Sequence, residues 1–331
     1  MSGGPLIDTF GRLHDSLRIS LTDRCNIRCF YCMPEEGVKF GPRDAILTFE
    51  EIHRVARVAA SLGVRKIRLT GGEPLLRRDL PDLVRRLASI EGIEDLAMTT
   101  NGIPLALHAR SLYEAGLRRL NVHLDTLDRQ RFLQITRRDM LADVLGGLEA
   151  ARTAGFNIKV NAVAVKNLVE PDIVPLAQFG REHGFEIRYI EFMPLDAQHL
   201  WDRGKVLTAA EIISTISREV CPLEPVPDPD PRAPASEYRY TDGKGRVGVI
   251  ASVTRPFCLN CNRIRLTADG RLRTCLFSLN ETDLRTPLRD GADDDELARI
   301  IRDAVWRKEL KHHVGEPGFI QPSRSMSAIG G

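Results

Sequence analysis

Hydrophobic and polar positions alternate along the first two thirds of the chain as short strands and amphipathic helices. Runs rich in β-branched and aliphatic residues predict six strands, at 17–22, 66–70, 95–100, 119–125, 157–163 and 186–192. Apolar residues at helical spacing predict helices between and after them, at 48–62, 79–90, 104–115, 140–154, 171–183 and 208–220. Thr48 and Glu51 at the start of the first helix are typical of a capping box.

Six consecutive strand–helix units predict parallel strands joined by right-handed crossovers. Such a sheet is either doubly wound or an incomplete barrel. Both architectures place the active site at the carboxyl ends of the strands. Residues that follow those ends are therefore the first candidates for chemistry.

The pattern changes after residue 221. Six prolines fall within the thirteen residues 222–234, a density that excludes a helix or a central strand and predicts an extended linker. Residues 235–331 form a second region, with a predicted hairpin at 237–252, another around 268–270 and a helix near 294–308. The predicted division is thus 1–221, 222–234 and 235–331.

Composition narrows the class of protein. The chain has 331 residues, 43% of them hydrophobic, which supports a substantial core. The net charge of +2 gives no reason to expect nucleic acid as a partner. Apolar runs do not reach the ~18 residues of a membrane span, and the amino terminus lacks the apolar core of a signal peptide. A cytoplasmic enzyme with reduced cysteines is expected.

Three cysteines lie close together after the first predicted strand, in the order Cys25, Cys29, Cys32. Three thiols within eight residues cannot all pair as disulfides, and a structural zinc site normally needs four ligands. Three thiolates suit a [4Fe–4S] cluster whose fourth iron stays open to a small molecule. Zinc and unligated thiols are the alternatives at this point.

This spacing, with an aromatic residue just before the third cysteine, resembles the radical S-adenosylmethionine (SAM) enzymes. In that family the open iron binds the amino and carboxylate groups of SAM, and one electron cleaves SAM to a 5′-deoxyadenosyl radical. The resemblance implies an α/β fold, an incomplete (β/α)6 TIM-type barrel with a C-terminal α+β cluster-binding region. The six predicted units match that count.

A second set of three cysteines, Cys258, Cys261 and Cys275, lies in the C-terminal region. A zinc site completed by His312 or His313 is one interpretation. Arg263 and Arg265 favour another, because alternation along a strand turns both guanidinium groups to one face beside the cysteines. Two convergent arginines suit a polyphosphate, although such a pair in isolation is more often a solvated edge.

With both cysteine sets in place, the sequence resembles the MoaA family of GTP 3′,8-cyclases of molybdenum cofactor biosynthesis, from about residue 8 to Gly330 and Gly331. The resemblance implies two [4Fe–4S] clusters, the second contacting the guanine of GTP. The implied reaction removes the hydrogen from ribose C3′ and joins C3′ to guanine C8, giving 3′,8-cyclo-7,8-dihydro-GTP. It also implies that Gly330 and Gly331 reach into the active site.

The same resemblance assigns further residues. In the turn Gly71-Gly72-Glu73-Pro74, Gly72 matches a position beside the methionine end of SAM; the turn lacks the Lys-Ser/Thr of a phosphate loop. His123 stands where the family usually has Ser and would hydrogen-bond the carboxylate or ribose of SAM. The implied SAM contacts are Tyr31, Gly72, His123 and Met193, and the implied GTP contacts are Arg18, Arg68, Thr99, Lys159, Arg263 and Arg265.

Partners follow from the same resemblance: GTP as substrate, an electron donor such as flavodoxin or ferredoxin, and a MoaC-type synthase that receives the product. Pairing of two copies into a homodimer is a further expectation; nucleic acid and membrane are not expected partners. Two rival functions stay open, a radical SAM enzyme that modifies a peptide and a non-catalytic metal sensor. The six strand–helix units argue against the sensor, which needs no barrel-sized pocket.

Overall fold

The computed structural model describes residues 4–38, 40–196, 198–227 and 230–330. Six strands form the strand–helix series: Ser16–Ser20 (β1), Lys66–Thr70 (β2), Asp95–Thr100 (β3), Arg119–His123 (β4), Asn157–Ala164 (β5) and Glu186–Glu191 (β6). The helices of this part are Phe49–Ser61 (α1), Leu80–Ala88 (α2), Leu105–Glu114 (α3), Arg129–Thr136 (α4), Leu141–Ala154 (α5), Ile173–His183 (α6) and Ala209–Glu219 (α7).

The six strands lie side by side in chain order, and every neighbouring pair is parallel. A doubly wound sheet would reverse its strand order part-way. Sequential order without a reversal belongs to the barrel-type sheet, in which the connecting helices cover one face. The predicted incomplete (β/α)6 barrel is therefore confirmed.

The C-terminal region adds to both edges of this same sheet. Its elements are Leu223–Pro225 (β7), Ser236–Tyr240 (β8), Arg246–Ile250 (β9), Arg263–Leu266 (β10), Arg271–Arg273 (β11), Thr282–Asp283 (β12), Arg285–Arg289 (α8), Asp294–Trp306 (α9) and Met326–Ile329 (α10). Strand β9 pairs with β6, and β10 pairs with β1, both in parallel. The proline-rich segment contributes β7, which is the outermost strand on its side, as its proline content requires.

The two faces of the sheet differ in chemistry. On β1 and β2, Leu17, Ile19, Ile67 and Leu69 are buried in the main hydrophobic core, which the helices also line. Helix α1 contributes an apolar stripe and begins at the predicted capping box, with Thr48 accepting from the Glu51 amide at 3.1 Å. The alternate strand residues face the other way, into the interior of the barrel.

Helix α4 is absent from the predictions made from sequence. Its eight residues include only Phe132 and Ile135 as buried apolar side chains, too few for a helical pattern to register. The helix begins at Asp128, whose carboxylate accepts from the Arg131 amide at 2.7 Å. Across the described residues, helices long and apolar enough to cross a membrane do not occur.

Candidate active site

The barrel interior contains a cavity of about 590 Å³. This volume lies within the range of ligand sites, which run from roughly 300 to 1,000 Å³. The cavity is lined by inward-facing residues of β1 to β6 and β10. All six cysteines of the two predicted sets also line it: Cys25, Cys29, Cys32, Cys258, Cys261 and Cys275.

The first cysteine set lies on the loop that follows β1. Backbone bonds shape the loop: the amides of Cys32 and Met33 both donate to the Cys29 carbonyl at 2.9 Å. The Arg28 amide donates to Thr136 at the end of α4, again at 2.9 Å, so the helix missed from sequence supports this loop. Cys29 is buried, while Cys25 and Cys32 are half-buried.

The chemistry of this loop fits a metal cluster. All three thiols are free of disulfide bonds. Burial raises the pKa of Cys25 to about 12 and that of Cys32 well above its usual range, with the neighbouring cysteines adding to both shifts. Thiolates crowded and buried in this way need a cationic group to hold them ionised. The irons of a [4Fe–4S] cluster supply that charge.

Gly71 and Gly72 hold the cysteine loop against the end of β2. The Gly72 amide donates to the Thr22 carbonyl, and the Glu73 amide donates to the Arg24 carbonyl, each at 2.7 Å. A Cβ atom on Gly72 would lie 2.2 Å from the Arg24 carbonyl oxygen. Glycine is therefore required here by close backbone approach.

Glu73 points away from the cavity. Its side chain is fully buried and accepts hydrogen bonds from the Leu75 amide, the Thr100 hydroxyl and the Asn101 amide, at 2.7 to 3.0 Å. Burial raises its pKa to about 7. These contacts fix the turn to the end of β3, so Glu73 supports the site from behind.

We expect Gly72→Ala to displace the cysteine loop, because the added methyl group meets rigid backbone. The expected loss is about 1–3 kcal/mol of stability, the scale of overpacking, together with loss of iron from the first set. Thermal unfolding of the apoprotein and an iron count of the reconstituted protein measure these effects. Gly146→Ala is the control, since this exposed helical position has no atom within 4 Å of the new Cβ. Equal behaviour of the two variants would contradict the prediction.

Tyr31, His123 and Asp125 form a hydrogen-bonded group at the end of β4. The Tyr31 hydroxyl bonds to His123 Nε2 and donates to Asp125 Oδ2 at 2.5 Å, and His123 Nε2 lies 3.0 Å from the same carboxylate oxygen. Burial lowers the pKa of His123, but the Asp125 charge outweighs it and the pKa rises to about 10. These hydrogen bonds thus hold the His123 side chain in the wall of the cavity.

Three arginines form a row across β10, β1 and β2. Arg265 is in register with Arg18, and Arg18 with Arg68. Burial, followed by mutual repulsion among the arginines, lowers the pKa of Arg68 and of Arg265 to about 10 and that of Arg18 well below its usual value. Adjacent on β10, Arg263 also lines the cavity, and its guanidinium lies 4.5 Å from the Phe257 ring centroid.

These cations have unused donors. Arg263 Nη2 and Arg265 Nε are buried without a hydrogen-bond partner among the described residues. Asn161 on β5 likewise has a buried side-chain oxygen without a partner there. Buried guanidinium donors normally find an acceptor, so the row is suited to an anionic ligand with several oxygens.

The remaining predicted GTP contacts differ from the arginines. Lys159 lies on the cavity wall but pairs with Glu186 at 2.7 Å and with Glu237 at 3.5 Å. Its charge is thus already neutralised. Thr99 on β3 and Met193 after β6 both line the cavity.

The second cysteine set lies beside β10 and β11: Cys258 and Cys261 precede β10, and Cys275 follows β11. The Cys261 amide donates to the Cys258 carbonyl at 3.1 Å. Burial raises the pKa of Cys261, but Arg263 and Lys308 outweigh it and lower the pKa to about 6. His312 lines the cavity near these cysteines, whereas His313 pairs with Glu316 at 2.7 Å. In the part of the chain that the structure describes, no three His, Cys, Asp or Glu side chains are arranged to hold a single metal ion.

The tail reaches the same site. Helix α10 ends at Ile329, which is fully buried, and Gly330 lies against Ser20 and Thr70 at the carboxyl ends of β1 and β2. Gly330 has φ +89°, and a Cβ there would lie 2.6 Å from the Ser20 Cβ and 2.9 Å from the Thr70 hydroxyl oxygen. Gly331 lies outside the described residues.

Several cavity residues are absent from the predicted set. Lys66, Asn121, Asn161 and Arg188 all line it. Each occupies an inward position of a predicted strand, for example Arg188 between the buried Ile187 and Tyr189. The alternation that located Arg263 and Arg265 would have located these residues as well.

Two family models match the chain. Residues 19–180 match the radical SAM superfamily, and residues 185–314 match the molybdenum cofactor synthesis C family. The first match begins within β1, ends within α6 and includes the first cysteine set. The second covers the C-terminal cysteine set and both arginines of β10.

Curated relatives match nearly the whole chain. A protein of Rhodopirellula baltica named GTP 3′,8-cyclase is 52% identical over 98% of this chain and 92% of its own length. A GTP 3′,8-cyclase of Mycobacterium sp. strain KMS is 50% identical over 99% of this chain and 94% of its own length.

Solved structures support the fold. SuiB of Streptococcus suis bound to S-adenosylmethionine is similar with a TM-score of 0.59 and 15% identity, over 88% of this chain and 67% of that one. A sequence identity of 15% supports a shared fold and nothing beyond it. The relatives of about 50% identity and the two family models establish more: the chain belongs to the GTP 3′,8-cyclase family of radical SAM enzymes.

Proposed function

We propose that the chain converts GTP to 3′,8-cyclo-7,8-dihydro-GTP at the first step of molybdenum cofactor biosynthesis. One observation carries the proposal: the two cysteine sets, called the first and second triads from here on, face the same cavity as the arginine row. Arg263 and Arg265 in that cavity also have donors without a partner among the described residues. A radical generated at one end of such a cavity meets a polyanionic substrate held at the other. Neither a metal sensor nor a structural zinc protein needs that combination.

The first triad would hold a [4Fe–4S] cluster, and its residues fit one by their number, spacing and burial. When bound, this cluster and SAM supply the radical that takes the hydrogen from ribose C3′. Gly72 keeps the cysteine loop close to β2, lines the cavity and is the proposed contact of the methionine part of SAM. Tyr31, His123 and Met193 form the neighbouring wall and are the proposed contacts of the adenosine part.

The arginines would hold the triphosphate. Arg18, Arg68 and Arg265 lie in register, and Arg263 adds a guanidinium nitrogen without a partner among the described residues, so together they can donate to several phosphate oxygens. A bound triphosphate would offset the repulsion between arginines that, after burial, lowers their pKa values. With the triphosphate fixed by the arginines, the ribose would be held toward the first triad. This orientation would bring C3′ close to the radical and so lower the entropic part of the barrier.

The second triad would hold the other [4Fe–4S] cluster, which would anchor the guanine of GTP. Thr99 and Lys159 complete the walls around the nucleoside. Lys159, neutralised by Glu186 and Glu237, is proposed to position the ligand rather than to offset its charge. Closure of the C3′–C8 bond, followed by one electron and one proton, gives the cyclic product.

A radical SAM enzyme acting on a peptide is the second candidate. SuiB, which shares this fold, has been solved with the precursor peptide SuiA. The unpaired arginines favour GTP, because a peptide offers no comparable cluster of oxygens. We propose further that the chain works in the cytoplasm as a homodimer. Flavodoxin or ferredoxin would be its electron donor, and a MoaC-type synthase would receive its product. The proposed domain organisation is a radical SAM barrel at 1–221, a linker at 222–234 and a C-terminal cluster-binding region at 235–331.

The direct test uses anaerobically reconstituted protein with GTP, SAM and dithionite. The expected result is about one 5′-deoxyadenosine for each cyclic product, with deuterium transferred to 5′-deoxyadenosine from GTP labelled at C3′. Iron and sulfide analysis should give about eight irons per chain. Cleavage of SAM that GTP does not stimulate, or label retained in GTP, would argue against the proposal.

Arg263→Ala and Arg265→Ala are each expected to weaken GTP binding by about 1.5–3 kcal/mol, the scale of a charge-assisted hydrogen bond. The loss should be smaller for guanosine, which has no phosphates. Arg265→Lys should lie between the wild type and Arg265→Ala, because it keeps the charge and loses the forked geometry. Equilibrium binding of both ligands measures this, and identical losses for GTP and guanosine would place these residues away from the triphosphate.

A further inference from the structure

A buried arginine from the amino-terminal segment contacts the second cysteine set. Arg12 Nη1 donates to the carbonyl of Cys258 at 2.8 Å and to that of Leu310 at 2.7 Å, and Nη2 donates to the Glu309 carbonyl at 2.6 Å. Its Nε binds Asp8 at 2.6 Å, so the charge of Arg12 is neutralised by a buried carboxylate. Arg12 therefore acts by geometry, joining the segment of one cysteine to the segment 309–310.

A buried lysine contacts the segments of the other two cysteines. Lys308, only 3% exposed, donates through Nζ to the carbonyl of Arg263 at 2.9 Å and to the carbonyl of Thr274. Arg263 lies two residues after Cys261, and Thr274 directly precedes Cys275. Within the described residues Lys308 has no salt-bridge partner. Burial lowers its pKa, and the charges of Cys261, Cys275 and Glu309 oppose that shift.

Together the two side chains reach all three ligand segments of the second cluster. A cluster held by three thiolates carries negative charge, and its reduction potential follows net charge and hydrogen bonding nearby. The Lys308 ammonium places a positive charge beside this cluster site. A buried charge is costly unless an opposite charge lies near it, and the negative cluster would be that opposite charge.

We infer that Arg12 and Lys308 are positioning residues for the second cluster: Arg12 fixes the Cys258 segment, and Lys308 fixes the Cys261 and Cys275 segments and raises the cluster's reduction potential. The inference rests on the proposed role of these cysteines as ligands. It assigns a function in cluster geometry and redox tuning to two residues that touch neither SAM nor GTP.

The test uses the full-length, reconstituted protein and follows each cluster spectroscopically. We expect Arg12→Ala to lower the iron content from about eight toward four per chain, with the SAM-dependent EPR signal of the first cluster retained. Arg12→Lys should restore part of the lost iron. Lys308→Gln, which keeps a donor and removes the charge, should retain both clusters and shift the second to a lower midpoint potential in an EPR-monitored redox titration.

Arg54→Ala is the matched control. Arg54 also joins the amino-terminal half to the C-terminal region, through Asp294 at 2.9 Å and the Ala292 carbonyl, but these partners lie far along the chain from the cysteines of the second set. It should keep about eight irons and the wild-type midpoint potentials. If Arg54→Ala lost iron as Arg12→Ala does, the effect would be general destabilisation and the inference would fail.

Two other results would overturn the inference. Arg12→Ala with full iron content and an unchanged EPR signal would remove the geometric role, and Lys308→Gln with an unchanged midpoint potential would remove the redox role. A wild-type chain that binds only about four irons, all dependent on Cys29, would overturn the second cluster itself and so the proposed function. The wild-type iron count therefore separates the two failures.

Discussion

Cys29→Ser is expected to remove SAM cleavage altogether. Cys29 is the buried member of the first triad, and its carbonyl also accepts the amides of Cys32 and Met33. Serine offers a much poorer ligand to iron, so the first cluster loses one of three obligatory attachments. The loss of rate should exceed the about 100-fold range of a positioning defect, because the radical source itself is missing. Formation of 5′-deoxyadenosine under dithionite is the measurement.

Cys275→Ser is the companion variant, since it removes one ligand from the second triad. The first cluster should survive, and SAM should still be cleaved slowly without coupling to GTP. Cyclisation should fail, because guanine loses its anchor. SAM turnover persisting in Cys29→Ser would refute the first assignment, and equal loss of both activities in Cys275→Ser would mean that the second site is structural.

Replacing Gly330 should have the second-largest effect. Gly330→Ala places a methyl group 2.6 Å from the Ser20 Cβ in a backbone of φ +89°, so α10 must withdraw from the ends of β1 and β2. Overpacking of about 1–3 kcal/mol corresponds to a roughly 5- to 150-fold decrease in the inserted population. We expect productive SAM cleavage to fall by that factor, with cluster content and GTP binding near wild type. Deleting Gly330 and Gly331 should abolish it.

Gly318→Ala is the control that distinguishes the steric clash at Gly330 from the backbone strain of a positive φ. Gly318 has a similar φ of +84° but no atom within 4 Å of the added Cβ, so its effect should be confined to local strain. The coupling of 5′-deoxyadenosine to cyclic product is compared among the wild type and the two variants. If Gly330→Ala cyclised GTP at the wild-type rate, the buried tail would have no catalytic role. A peptide carrying the tail, added to the truncated protein, should restore part of the activity.

Local patterns predicted most of the barrel. The bounds of β2 and β3 agree with the predicted 66–70 and 95–100, because each is a short run of mainly aliphatic and β-branched residues that ends at a turn. The prediction of β4 continued two residues too far, to Asp125. Asp125 lies beyond the end of β4, and its carboxylate accepts a hydrogen bond from the Val163 amide of β5 at 2.7 Å. A contact between residues 38 positions apart cannot be predicted from the local sequence.

The candidate site, like the barrel, could be predicted only where local sequence patterns determine it. The cysteine sets and the Arg263/Arg265 pair follow from spacing and alternation, and the structure brings them to one cavity. Arg12 was missed because its partner Cys258 is 246 residues away. Lys308 sits next to Glu309 in an ordinary charged stretch, and only the fold reveals that one charge is buried.

The pairing of β10 with β1 determines when the protein can complete its fold. Strand β1 is among the first elements to leave the ribosome, yet its outer edge pairs with Arg263–Leu266, about 250 residues later. Until then the edge is open, a state in which strands pair with the wrong neighbour or with other chains. Long-range parallel pairing also forms slowly. Cys258, Cys261 and Cys275 all lie in this late segment, so assembly of the second cluster has to wait for synthesis of the last third of the chain.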